Sequence, residues 1–123
     1  MGYTIELESD DLWCKSEVGA AAAAKLVGED EWIHPYHLQV TAAQCHSGDM
    51  QGHWFLGIDE FQGDHWEDYE ARRVWLAIAP YMADGATIEF QGEGQERWRF
   101  RWEAGRVFEE YVTEVIWAVN QEI

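Results

Sequence analysis

The stretch Thr87-Ile88-Glu89-Phe90-Gln91-Gly92-Glu93-Gly94-Gln95-Glu96-Arg97-Trp98-Arg99-Phe100-Arg101-Trp102-Glu103-Ala104-Gly105-Arg106-Val107 decides the fold. Ile88 and Phe90 alternate with Thr87, Glu89 and Gln91, and Trp98, Phe100 and Trp102 alternate with Arg97, Arg99 and Arg101. Successive side chains of a strand point to opposite faces, so both runs predict half-buried strands with an aromatic inner face. Turn chemistry at Gly92 to Gly94 and at Ala104-Gly105 separates them from each other and from a third, apolar-rich strand over 107–119. The prediction is an antiparallel three-stranded meander.

Upstream, Tyr3, Ile5 and Leu7 alternate with Thr4, Glu6 and Glu8 and predict a further strand, with a short second one around Leu12 to Cys14. Ser16 is placed to cap a helix that runs through the alanines 20–24 to about Val27 and stops at Gly28. Residues 29–63 contain Pro35, four glycines (a fifth, Gly28, stands just before them) and most of the histidines. They read as loops with a short element near Trp54 to Ile58. From about Asp64 to Met82 the pattern is again helical, with Glu67, Asp68 and Glu70 near the positive end of the helix dipole and Pro80 disturbing the last turn. The expected fold is α+β: an antiparallel sheet made of the meander and the N-terminal strand, with two helices packed on one face, in a single domain spanning 1–123.

Composition narrows the function. The chain has 123 residues, 47% hydrophobic and 15% aromatic with eight tryptophans, enough apolar surface to build a core despite a net charge of −16. So acidic a surface repels nucleic acid and anionic lipid, so no direct nucleic-acid or membrane partner is expected. Residues 1–6 lack the basic and apolar parts of a signal peptide, Glu6 stands where a myristoylation motif needs Ser or Thr, and the alanine run is too short to span a bilayer. Cys14 and Cys45 alone make no disulfide framework. A cytoplasmic protein with reduced thiols is the expectation.

Charge is unevenly distributed. Residues 1–70 hold fifteen acids against Lys15 and Lys25, a net of −13, whereas residues 71–123 hold nine acids against six arginines, a net of −3. The acids cluster at Glu6, Glu8, Asp10 and Asp11, at Glu29, Asp30 and Glu31, and at Asp59, Glu60, Asp64, Glu67, Asp68 and Glu70. On a regular strand Glu6, Glu8 and Asp10 would stand about 6.7 Å apart, a spacing that resembles backbone phosphates. These thirteen carboxylates are the candidate partner-binding residues, and the partner they suit is a basic protein surface. The plainer reading is a solvated acidic face.

Other chemistry is weaker. His34, His37, Cys45, His46 and His53 share one irregular region, but tetrahedral zinc sites favour paired, regular ligand spacings that this region lacks. No metal or other cofactor is expected. Neither a nucleophile elbow nor a phosphate-cradling glycine loop occurs, so the chain is not read as an enzyme. The row Arg97, Arg99, Arg101 looks like a phosphate stripe in isolation, yet Glu89, Glu110 and Glu114 on neighbouring strands offer cross-strand partners.

Both ends resemble a family of small uncharacterised proteins from phages and other bacterial mobile elements. The resemblance lies in Met1-Gly2-Tyr3-Thr4-Ile5-Glu6-Leu7, in Ala77-Ile78-Ala79-Pro80-Tyr81, in the Gly92-Glu93-Gly94 turn and in Trp98-Arg99-Phe100-Arg101-Trp102. It covers about the first ten and the last fifty residues. It implies a mobile-element origin and a bacterial cytoplasm, and attaches no activity. Together with the charge it leads to the expected function: a phage-encoded, anti-CRISPR-like inhibitor whose acidic, nucleic-acid-mimicking face occupies a basic surface on a CRISPR effector or another nucleic-acid-binding host protein. The alternatives are an interaction module or homodimeric scaffold that uses exposed tryptophans, and a His/Cys metal-binding protein.

Overall fold

In the computed structural model, which describes residues 5–29, 39–60, 68–92, 94 and 96–111, the meander is present as expected. β4 (Thr87–Gly92), β5 (Arg97–Glu103) and β6 (Arg106–Tyr111) pair antiparallel in sequence order. β1 (Ile5–Asp11) adds to the free side of β4, giving a four-stranded sheet in the order β1-β4-β5-β6. Alternation carries through to packing: Ile88, Phe90, Trp98, Phe100 and Trp102 are buried on one face, and the arginines of β5 stand on the other. Residues 112–119, the expected continuation of the third strand, lie outside the described residues.

The helix α1 (Glu17–Glu29) starts where Ser16 places it. The Gly19 N–H donates to Ser16 Oγ at 3.0 Å, satisfying one of the donors that a helix start leaves open. The helix runs two residues past Val27, through Gly28. Gly19, Ala20, Ala23 and Val27 form its buried stripe, and these small side chains let the backbone come close to what lies beneath. What lies beneath is the main departure from expectation. Residues 39–60 are not mainly loop: β2 (Gln39–Gln44) and β3 (Trp54–Glu60) pair antiparallel as a separate two-stranded sheet, against which α1 packs. Leu12 to Cys14 is no strand of its own. It stitches the sheets together through the bridges Trp13↔Phe55 and Cys14↔Met82, with Leu56 N–H donating to Leu12 O and Cys14 N–H to Trp54 O.

α2 (Asp68–Ala77) gives way to a 3₁₀ turn, Ala79–Tyr81, because Pro80 has no N–H to continue the ladder. The Trp75 carbonyl, in the last turn of α2, accepts the Trp102 indole N–H at 3.0 Å. A helix end is thereby capped by a side chain from the sheet. Trp75 also meets Trp102 edge to face and Phe100 at a tilt, so α2 is held onto the sheet by aromatic contact. All seventeen buried hydrophobic residues among those described belong to one cluster, and no buried polar or charged residue joins them. Among the described residues no helix is long and apolar enough to cross a membrane.

Candidate functional site

The first acidic cluster lies along one sheet edge. β1 is the outer strand, and Glu6, Glu8, Asp10 and Asp11 are all exposed on it. They do not form the regular row that alternation suggested. Leu7 faces Phe90 and Ser9 faces Glu89, so Glu8 is an extra residue that shifts the register by one. Beyond this bulge Asp10 is opposite the inward-facing Ile88, while Glu6 and Asp11 stand opposite the outward Gln91 and Thr87. The bulge therefore spreads the carboxylates over both sides of the edge. Partial burial against the sheet, then the neighbouring Asp11 charge, raises the pKa of Asp10 above the usual carboxylate range.

Other candidate residues lie elsewhere. Glu29 ends α1, exposed, with its carboxylate 4.0 Å from Lys25. A carboxylate there meets the negative end of the helix dipole, and a lysine preceding it by four residues is the weaker order for such a pair. Asp59 and Glu60 close β3, and Asp68 and Glu70 open α2. Asp30, Glu31, Asp64 and Glu67 lie outside the described residues. The structure thus gathers four of the thirteen along the β1 edge.

Two of the expected cross-strand partners, Glu89 and Glu110, take up the β5 arginines, and the third, Glu114, lies outside the described residues. Arg97 pairs with Glu89, Arg99 with Glu110 at 2.7 Å, and Arg101 with both Glu110 at 3.2 Å and Glu103 at 2.6 Å. Arg101 also covers the Phe108 ring, 4.9 Å from its centroid. Desolvation works against ionisation of Glu110, but the hydrogen bonds from Arg101 and Arg99 outweigh it and lower its pKa. On the inner side Arg72 makes a two-pronged contact with Glu109, at 2.6 and 3.0 Å. The Tyr111 hydroxyl donates to the same Glu109. That hydrogen bond, with burial and the carboxylate charge, raises the tyrosine pKa. Nothing in the sequence pointed to the Arg72–Glu109 pair, because it joins a helix to a strand 37 residues away.

Among the described residues the tryptophans are chiefly structural. Trp75, Trp98 and Trp102 are buried and Trp13 and Trp54 half-buried. Trp98 is 7% exposed, which counts against an interface of exposed tryptophans there, and Trp117 lies outside the described residues. The described residues hold no group of three or more His, Cys, Asp or Glu arranged for a metal, and His34 and His37 lie outside them. Comparison with protein families, with curated proteins and with solved structures finds no match.

Proposed function

We propose that this chain is an inhibitor carried by a phage or related mobile element, of the anti-CRISPR kind, that binds the basic nucleic-acid-binding surface of a host defence protein. One observation carries the reading: half of the eight cations are tied up in ion pairs within the fold. Arg72, Arg97, Arg99 and Arg101 are matched by Glu109, Glu89, Glu110 and Glu103. Setting these four pairs aside leaves twenty acids against four other basic residues, a net of −16. Unit charges about 6 Å apart in water repel by roughly 0.7 kcal/mol. A cationic partner that relieves several such repulsions along β1 gains affinity and a faster encounter. The resemblance at both chain ends supports the mobile-element setting.

The test is capture from a bacterial host lysate, followed by binding measurements on the recovered nucleic-acid-binding protein. Added nucleic acid should displace the chain, and affinity should fall steeply with salt. Joint neutralisation by Glu6→Gln, Glu8→Gln, Asp10→Asn and Asp11→Asn should weaken binding at least tenfold, about 1.4 kcal/mol. Affinity that is flat with ionic strength refutes the reading. A second reading is favoured by the bulge at Glu8: charge and a bulge on an outer strand are devices that block edge-to-edge aggregation. On that reading the neutralised variant self-associates and has no lost partner.

A further inference from the structure

β6 closes the four-stranded sheet on the side opposite β1, and among the described residues no strand lies beyond it. An open edge is a template for another strand unless charge, proline or a bulge blunts it. β1 carries charge and a bulge. β6 has no proline, and its pairing with β5 runs without a register shift. On the face away from the core it presents Arg106, Phe108 and Glu110, opposite Glu103, Arg101 and Arg99. Read along the strand this is positive, aromatic, negative, a pattern complementary to itself when reversed.

We propose that β6 pairs antiparallel with β6 of a second copy across a two-fold axis at Phe108, joining two four-stranded sheets into one of eight. In that register Arg106 faces Glu110 of the second copy, and the symmetry makes the contact twice. Arg106 is exposed and has no ion pair within its own chain among the described residues. It is therefore available, whereas Arg97, Arg99 and Arg101 are not. The apolar surface agrees. Leu76, Phe108 and Tyr111 are 62%, 39% and 56% exposed and lie on β6 or on the α2 turn beside it. A cavity of about 260 Å³ opens at the same margin, lined by Trp75, Leu76, Phe100 and Val107 with Arg72 and Glu109 at its polar end. A second copy on this edge brings its own α2 alongside and covers both.

The dimer and the charge-driven partner respond oppositely to salt. Two chains of charge −16 repel at long range, so screening strengthens their association while weakening the grip on a basic surface. Sedimentation equilibrium of the full chain should show more dimer at about 1 M salt than at about 0.1 M, where the Debye lengths are roughly 3 and 10 Å. Arg106→Glu turns both attractive contacts repulsive and should weaken the dimer by about tenfold. Register is tested by mild oxidation in a Cys45→Ser background. Phe108→Cys puts the two thiols on directly opposed residues, about 4.5–5.5 Å apart at Cα, within disulfide reach. Arg106→Cys puts them roughly 13 Å apart along the strands, out of reach. Cross-linking of the first variant alone supports the two-fold pairing. A monomer at both salts, equal cross-linking of both variants, or a thiol at position 108 shielded from reagents in a monomer overturns it.

Discussion

Trp102→Phe tests how the helix and the sheet are joined. Trp102 is 1% exposed, and its indole N–H is the donor that caps the Trp75 carbonyl at 3.0 Å. Phenylalanine keeps an aromatic ring against Trp75 and Phe100 but removes the donor, stranding a carbonyl in a dry site at a cost of about 1–2 kcal/mol. The smaller ring also leaves a void of about 40 Å³, which at roughly 24 cal/mol per Å³ adds about 1 kcal/mol. The expected loss is therefore about 2–3 kcal/mol. Urea unfolding followed by far-ultraviolet circular dichroism would measure it, and the melting temperature should fall by about 8–12 °C. Trp98→Phe is the matched control. Trp98 is also buried, but its indole N–H has no acceptor among the described residues, so the same void is offset by removing a buried donor that lacked one there. Its cost should stay within about 1 kcal/mol. Equal losses in the two variants would refute the claim that the indole–carbonyl bond anchors α2.

Three further outcomes follow from local chemistry. Ser16→Ala removes the acceptor for Gly19 N–H and should cost about 1 kcal/mol in a thermal melt, without changing the oligomeric state. Burial pushes the Cys14 thiol up to about 11, so a maleimide should label the half-buried Cys45 while Cys14 reacts only after unfolding; rapid double labelling of the native chain would contradict the buried placement. Asp10→Asn should stabilise the fold by up to about 0.5 kcal/mol near neutral pH. Folding raises the Asp10 pKa, so the folded state is penalised while the carboxyl is ionised; the gain should fade as the pH falls through the raised value and vanish below the ordinary one, and a gain that grows on acidification would reverse the assignment.

The meander was legible because large aromatics alternate with charge, and each β5 arginine meets a glutamate close to where cross-strand geometry places one. Ser16 likewise announced α1. β2 was not legible. Its sequence, Gln39-Val40-Thr41-Ala42-Ala43-Gln44, offers one large apolar residue, since the small-residue face of α1 packs against it and needs little bulk there. Its loop to β3 contains Gly48 and Gly52 at positive φ but no two-residue hairpin signature. The acidic cluster on β1 was visible as composition, whereas its geometry was not. A bulge is fixed by pairing with β4, which no periodicity within residues 5–11 can reveal.

The reverse turn at Ala104-Gly105 does two jobs at once. Both residues have positive φ, 53° and 76°, and Ala104 N–H is held by the Asp84 carboxylate of the neighbouring turn. So tight a corner sets which residue of β6 lies beside which residue of β5, and in a pleated sheet a slip of one position exchanges the two faces. Such a slip would expel the buried side of one strand into water and, in the same stroke, dismantle its ladder of opposite charges. An insertion at this corner would therefore be a hydrophobic fault and an electrostatic one together, and two amino acids guard against both.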